Sequence, residues 1–205
     1  MRLRAFALNC TLKASPEPSS VERLLDDLFG ELRGLGVDCE QVRAADHDIR
    51  PGVTSDEGEG DDWPALREKV LAADIFVLAT PIWLGHPSSF AQRVLERMDA
   101  MLSETDDEQR PVAYDRVAGF VVTGNEDGAH AVIANLAQAL IDIGFTVPGQ
   151  GWTYWNMGPG PGPSYTDTEH GHEWSESTGR TAAQNLVAVA RALQANRIPA
   201  PPSSD

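Results

Sequence analysis

The chain predicts an α/β protein, a parallel sheet with helices on both faces. Strand-length apolar runs alternate with longer runs of helical spacing, roughly five times along the chain. The most strand-like stretch, Phe76-Val77-Leu78-Ala79-Thr80, is a continuous apolar run, the pattern of a strand buried on both faces. A length of 205 residues suits one domain with a full hydrophobic core.

In order, residues 3–8 form the first strand, followed by a polar, hydroxyl-rich loop from Asn9 to Ser20. Val21, Leu24, Leu25, Leu28, Phe29 and Leu32 then recur at helical spacing, and Gly34 or Gly36 stops that helix. Val37 to Val42 is a second strand; Asp38, Glu40 and Gln41 interrupt it, which suits a place near the sheet edge. Ala44 to Asp62 turns polar and acidic, and Thr54 to Asp62 is expected to be a mobile excursion. A helix over Trp63 to Ala73 has Pro64 in its first turn.

The central strand, Asp74 to Ala79, is expected to stop at Thr80-Pro81, because proline cannot donate to a ladder. Gly85 provides a bend, Pro87-Ser88-Ser89 starts a helix, and Phe90, Val94, Leu95, Met98 and Leu102 mark its apolar face. Ser103 to Pro111 is a charged connector. Val117 to Thr123 is a strand interrupted by Gly119; a turn at 124–128 and an alanine-rich helix from Ala129 to Ile143 follow, closed by Gly144. Thr146-Val147-Pro148 is expected to start a short last strand. The segment 149–172 mixes Trp152, Tyr154 and Trp155 with a Gly/Pro run over 158–163, a composition that reads as irregular. The final helix starts at Ser175 or Thr178 and carries Leu186, Val189, Ala190 and Leu193. Residues 1–198 thus read as a single domain, and 199–205 as a disordered tail.

A formal charge of −15 disfavours nucleic acid as a partner, because phosphate backbones demand a basic face. It permits a phosphorylated small ligand, which a helix terminus can hold through backbone amides. Cys10 and Cys39 lie in no zinc or redox spacing motif. With no apolar signal core and no run of spanning length, the expectation is a soluble, cytoplasmic protein without membrane contact.

Three stretches carry candidate chemistry. Around Thr11, Lys13, Ser19 and Ser20, hydroxyls and free amides meet a helix N-terminus, which either holds an anion or is simply capped. No Gly-x-x-x-x-Gly-Lys-[Ser/Thr] or Gly-x-Gly-x-x-Gly occurs, so a nucleotide triphosphate or a dinucleotide in its usual cradle is disfavoured. Trp83 follows a buried strand; it either packs under the next loop or lines a flat-ligand site. Thr123 to Asp127 offers turn amides and two carboxylates, or an ordinary turn. All three follow strands, and loops after neighbouring parallel strands converge on one crevice.

The ordered set 8–13 through Ser19-Ser20, then 80–88, then 124–129 resembles the flavodoxin-fold NAD(P)H-dependent FMN reductases and related quinone reductases, over roughly the first three quarters of the chain. The resemblance implies a flavodoxin-like three-layer α/β/α sandwich with five parallel strands in the order 2-1-3-4-5. It implies an FMN phosphate held by Thr11, Lys13, Ser19 and Ser20 with the amide of Val21. It implies a ribityl chain and ring face against Pro81, Ile82, Trp83, Leu84 and Gly85, and a polar ring edge met by Thr123, Gly124, Asn125, Glu126 and Asp127. Many relatives begin the phosphate loop with Gly-Ser and carry an arginine in it; here it is Asn9-Cys10-Thr11 with Lys13.

The implied activity is hydride transfer from NADPH or NADH, via bound FMN, to a quinone, free flavin or similar small acceptor. Relatives commonly form homodimers or homotetramers. No side chain need be a nucleophile and no metal is implied. His86 and His130 are candidates to donate protons or polarise an acceptor, or are solvated loop histidines. Tyr154 and Trp155 wall the substrate face, or cover the sheet edge or a subunit contact. The alternatives are an electron carrier without turnover of its own and an interaction protein that has lost flavin.

Overall fold

The structure, a computed structural model, describes residues 2–160 and 162–202. Six strands and five α-helices occur among these residues: β1 (Arg4–Asn9), α1 (Ser20–Gly34), β2 (Asp38–Arg43), α2 (Trp63–Ala72), β3 (Ile75–Trp83), β4 (His86–Pro87), α3 (Ser89–Met98), β5 (Val117–Gly124), α4 (Ala129–Ile143), β6 (Trp152–Asn156) and α5 (His172–Ala195). Five strands pair in parallel in the spatial order β2-β1-β3-β5-β6, and β4 pairs antiparallel with the end of β3. Counting the parallel strands alone, this is the flavodoxin-like 2-1-3-4-5 order, with one hairpin strand added.

Side chains alternate across the sheet, so each strand supplies two cores. Phe6, Leu8, Phe76, Leu78 and Phe120 pack with Trp63, Val94, Leu136 and Leu140 on the α2/α3/α4 side. Ala5, Ala7, Val77 and Val121 pack with Leu25, Leu28, Ala183 and Leu186 on the α1/α5 side. Gly119 belongs to this second face. A Cβ there would stand 2.9 Å from both the Gly151 carbonyl oxygen and Leu186 Cδ1. The glycine therefore does not interrupt β5; it lets α5 close onto it.

Four expectations need correction. First, β3 runs on through Pro81 to Trp83 and turns back into β4. Leu84 and Gly85 both have positive φ, 51° and 76°, so the two-residue turn matches the right-handed twist of a hairpin.

Second, Thr54 to Asp62 is not a free excursion. Asp61 accepts hydrogen bonds from Arg97 Nη2 at 2.7 Å and from the backbone amides of Glu57 (2.9 Å), Trp63 (3.2 Å) and Arg50 (3.3 Å). Arg97 also donates to the carbonyls of Arg50 and Thr54.

Third, Thr146 makes only a single bridge to Val117, and the last strand is β6, inside the segment read as irregular. The turn over Pro148 to Gly151 breaks the first approach, and the chain re-enters beside β5, Phe120 pairing with Trp152. The run Trp-Thr-Tyr-Trp is a good strand former with period-two burial; the Gly/Pro run behind it masks that signal.

Fourth, α5 begins at His172, ahead of Ser175. Of the tail, residues 203–205 lie outside the described residues. Among the described residues, no helix is long and apolar enough to cross a membrane.

Candidate functional site

At the carboxyl end of the sheet the loops after β1, β3 and β5 meet. They enclose a cleft of about 630 Å³, part of it open to solvent. Parallel strands end together here, so segments far apart in the chain become neighbours. Cys10 N–H donates to the Ala79 carbonyl (2.7 Å), Ser88 Oγ to the Cys10 carbonyl (2.6 Å), and the Ser88 amide to Thr80 Oγ1 (3.0 Å). The first two bonds, buried beneath the cleft, stitch its first two loops together, and the third closes the second loop on itself.

The first loop presents Thr11, Leu12, Lys13, Ser19, Ser20 and Val21 to the cleft. Ser19 caps α1, its Oγ accepting from the Glu22 amide at 3.3 Å, and the Arg23 amide reaches the Ser19 carbonyl. That leaves the first-turn amides of Ser20 and Val21 without an intrahelical acceptor. Among the described residues, Lys13 supplies the one cationic side chain of the lining, and its Nζ donates to the Pro18 carbonyl at 2.9 Å. Asn9 is fully buried at the base of the loop: its Oδ1 accepts from the Thr11 amide, and its Nδ2 has no acceptor among the described residues.

Pro81, Ile82 and Trp83 form the second side, and Thr123, Gly124 and Asn125 the third. Trp83 is half-exposed at the rim. Leu84, Gly85, Glu126 and Asp127 do not line the cleft. Glu126 turns instead to the hairpin, its Oε1 accepting from the Leu84 amide at 2.5 Å. Gly124 is where the two loops touch: a Cβ would lie 2.8 Å from Ile82 Cδ1 and 2.9 Å from the Glu126 carbonyl oxygen. Gly124→Ala is expected to destabilise the protein by about 1–3 kcal/mol through overpacking, measured by urea unfolding.

A fourth wall comes from Trp155, one of the two aromatics offered as a wall from the sequence, and from Ser164 and Tyr165, which the sequence did not single out. Trp155 is buried, donates from Nε1 to the His170 carbonyl at 2.7 Å, and meets Tyr165 edge-on at 5.5 Å. Tyr165 donates to Asp27 Oδ2 at 3.0 Å and stacks on His172 at 3.9 Å; burial pushes its phenol up to about 12. Asn125 and Gly162 exchange two hydrogen bonds that tie the Gly/Pro segment to the third loop. The alternation in β6 was the available signal: residues two apart share a face, so Tyr154 and Trp155 cannot both face the cleft.

Tyr154 lies on the opposite face. With Trp152, Trp174 and His130 it forms an aromatic cluster, ring centroids 4.5 to 6.5 Å apart. His130 is thus held among aromatic rings, and His86 is exposed on β4. Neither histidine lines the cleft. Among the described residues, no group of three or more His, Cys, Asp or Glu is placed to hold a metal.

Comparison with known proteins agrees with this architecture. The chain is 40% identical over 200 residues to a protein of Mycobacterium bovis named divalent metal cation transporter MntH, but it spans only 29% of that protein's length. It is 37% identical over 205 residues to 8-demethyl-8-aminoriboflavin-5'-phosphate synthase of Streptomyces davaonensis, covering 95% of this chain and 79% of that one. The crystal structure of RosB with the bound intermediate 8-demethyl-8-formylriboflavin-5'-phosphate superposes with a TM-score of 0.86 at 35% identity, over 95% of this chain and 81% of that one. The family model described as NADPH-dependent FMN reductase matches residues 5–160. With three quarters of its length matched, the chain belongs to the NADPH-dependent FMN reductase family.

Proposed function

We propose that the cleft binds FMN, and that the protein is an NAD(P)H-dependent oxidoreductase that delivers hydride to a small acceptor such as a quinone or free flavin. The observation that carries this reading is the division of labour within one cleft. Hydroxyls and unpaired helix amides gather at one end, and Pro81, Ile82, Trp83 and Trp155 supply flat apolar walls elsewhere. The residues present fit the group. Thr11, Ser20 and the amides of Ser20 and Val21 suit a phosphate, the orphaned Asn9 Nδ2 is a further donor at the base, and the turn amides after β5 suit a polar ring edge.

FMN, held by these residues, would supply the hydride chemistry. The protein's own residues bind, orient and exclude water. The Ser19 cap orders the first turn of α1, Trp83 and Trp155 limit solvent access, and the Glu126–Leu84 bond fixes the hairpin that carries Trp83. His86 and His130 are kept as candidate proton donors only to a substrate reaching out of the cleft.

An absorption spectrum before and after FMN addition tests binding, and steady-state NADPH or NADH oxidation with a quinone tests turnover. Uptake of FMN without nicotinamide oxidation would favour an electron carrier. Ser19→Ala with Ser20→Ala is expected to raise the FMN dissociation constant by about tenfold, through loss of a cap and a phosphate donor. Unchanged affinity would mean the phosphate sits elsewhere.

The 37% identity to 8-demethyl-8-aminoriboflavin-5'-phosphate synthase favours a second reading, in which a flavin phosphate is itself the substrate. Mass spectrometry of the flavin after turnover separates the two: unchanged FMN supports the oxidoreductase, a mass shift supports flavin modification. The same proposal reads residues 1–198 as one flavodoxin-like unit, cytoplasmic and homodimeric or homotetrameric. Sedimentation as a monomer would remove the last of these.

A further inference from the structure

Arg43 closes β2, the outer strand of the sheet, paired in register with Asn9 where the first loop begins. On a strand otherwise half-buried or exposed, its side chain is only 5% exposed. Its guanidinium does two things. Nε and Nη2 grip both carboxylate oxygens of Glu22, at 3.1 and 2.5 Å. Nη1 reaches the carbonyls of Lys13 (3.3 Å) and Ala14 (3.0 Å) in the first loop.

Glu22 is the acidic residue of the first turn of α1, in the same turn as the Ser20 and Val21 amides that face the cleft. A carboxylate there competes with any incoming anion for the positive end of the helix and repels it. Paired two-to-two with Arg43, its charge is balanced and its oxygens are committed away from the cleft. The Lys13 and Ala14 carbonyls, also negative dipole ends, are turned toward the same guanidinium.

We propose that Arg43 is a positioning and charge-shielding residue. It lies outside the cleft lining, but by neutralising Glu22 it lets the α1 terminus accept a dianionic phosphate, and so makes the site selective for phosphorylated over unphosphorylated flavin. This rests on the flavin-phosphate reading of the cleft. It is a property of a buried arginine outside the lining, in a chain whose phosphate loop contains lysine and no arginine.

The test is a comparison of FMN and riboflavin dissociation constants, by quenching of flavin fluorescence at low ionic strength. The proteins are the wild type, Arg43→Met, Glu22→Gln and the double variant. Arg43→Met should weaken FMN by about tenfold or more and riboflavin by less than about twofold, because only FMN carries the repelled charge. Glu22→Gln should hold FMN as tightly as wild type or several-fold more tightly, and the double variant should recover most of the FMN affinity lost in Arg43→Met.

Equal weakening of both flavins would make Arg43 a plain structural residue and overturn the proposal. So would unchanged FMN affinity in Arg43→Met, or a double variant no better than it. Should Arg43→Met not fold, Glu22→Gln decides: weaker FMN binding there overturns the shielding role. A wild type that binds neither flavin defeats the reading of the cleft itself. A wild type that binds FMN but is indifferent to Arg43 defeats this proposal alone.

Discussion

Arg97→Met is expected to destabilise the protein by about 3–5 kcal/mol, the cost of stranding one member of a buried ion pair. The side chains of Arg97 and Asp61 are both fully buried, 2.7 Å apart, and Arg97 holds two backbone carbonyls besides. Methionine fills similar space but leaves Asp61 with only amide donors and frees the carbonyls of Arg50 and Thr54. Urea unfolding measures the loss; a change below about 1 kcal/mol would place the pair among solvated surface bridges.

The same pair sets a pH dependence. Burial by itself would raise the Asp61 carboxyl, but the bonds from Arg97 and the amides of Glu57, Trp63 and Arg50 outweigh it and hold the group at about 2. The unfolded chain, with an aspartate near about 3.9, therefore binds the proton more readily. The stabilisation is complete above that value and fades as pH falls through it toward about 2. Unfolding midpoints across the acid range should show this slope, and Arg97→Met should flatten it.

Trp155→Ala is the second large effect. Deleting a buried indole costs about 3–5 kcal/mol in lost burial and residual cavity. Here it also strands the His170 carbonyl and removes the edge contact to Tyr165. The site should suffer with the fold, because Trp155 is part of the lining. FMN affinity should fall by on the order of tenfold or more as the wall opens to water. Trp155→Phe keeps a ring against Tyr165 and should retain most of the affinity while losing the Nε1 bond. Titration with FMN, alongside thermal unfolding, checks both. Full affinity in Trp155→Ala would mean the ligand lies against the Trp83 side alone.

That these helices exist was plain from spacing, though not all their ends: α3 stops at Met98 and leaves Leu102 exposed, and α5 starts at His172. The six apolar positions of α1 read from the sequence are its buried residues, and Gly144 ends α4 with φ at 112°. The first three sides of the cleft were likewise visible, because hydroxyls, a Pro-flanked tryptophan and a glycine turn each follow a strand. Single residues within those loops were not. Glu126 and Asp127 look no different from Asn125 in the sequence, yet Asn125 lines the cleft and Glu126 latches a hairpin. The Gly/Pro run hid β6, and with it which of Tyr154 and Trp155 faces the cleft, and it hid Tyr165 altogether. In the sequence Asp61 belongs to an acidic stretch with no sign of a fixed partner, since Arg97 stands 36 residues away.

From the sequence alone came the alternation of strand and helix, the central strand, the charge balance and the three loops with chemistry to offer. All of these depend on residues a few positions apart, whose periodicity records which face meets the core. The tertiary structure alone decided the fourth wall, the pairing of Arg43 with Glu22 and of Arg97 with Asp61, and the division between residues that face the cleft and those that hold it. Such matters depend on which strand ends lie side by side and which charges are buried together. No local pattern encodes them, because the partners meet only once the sheet has formed.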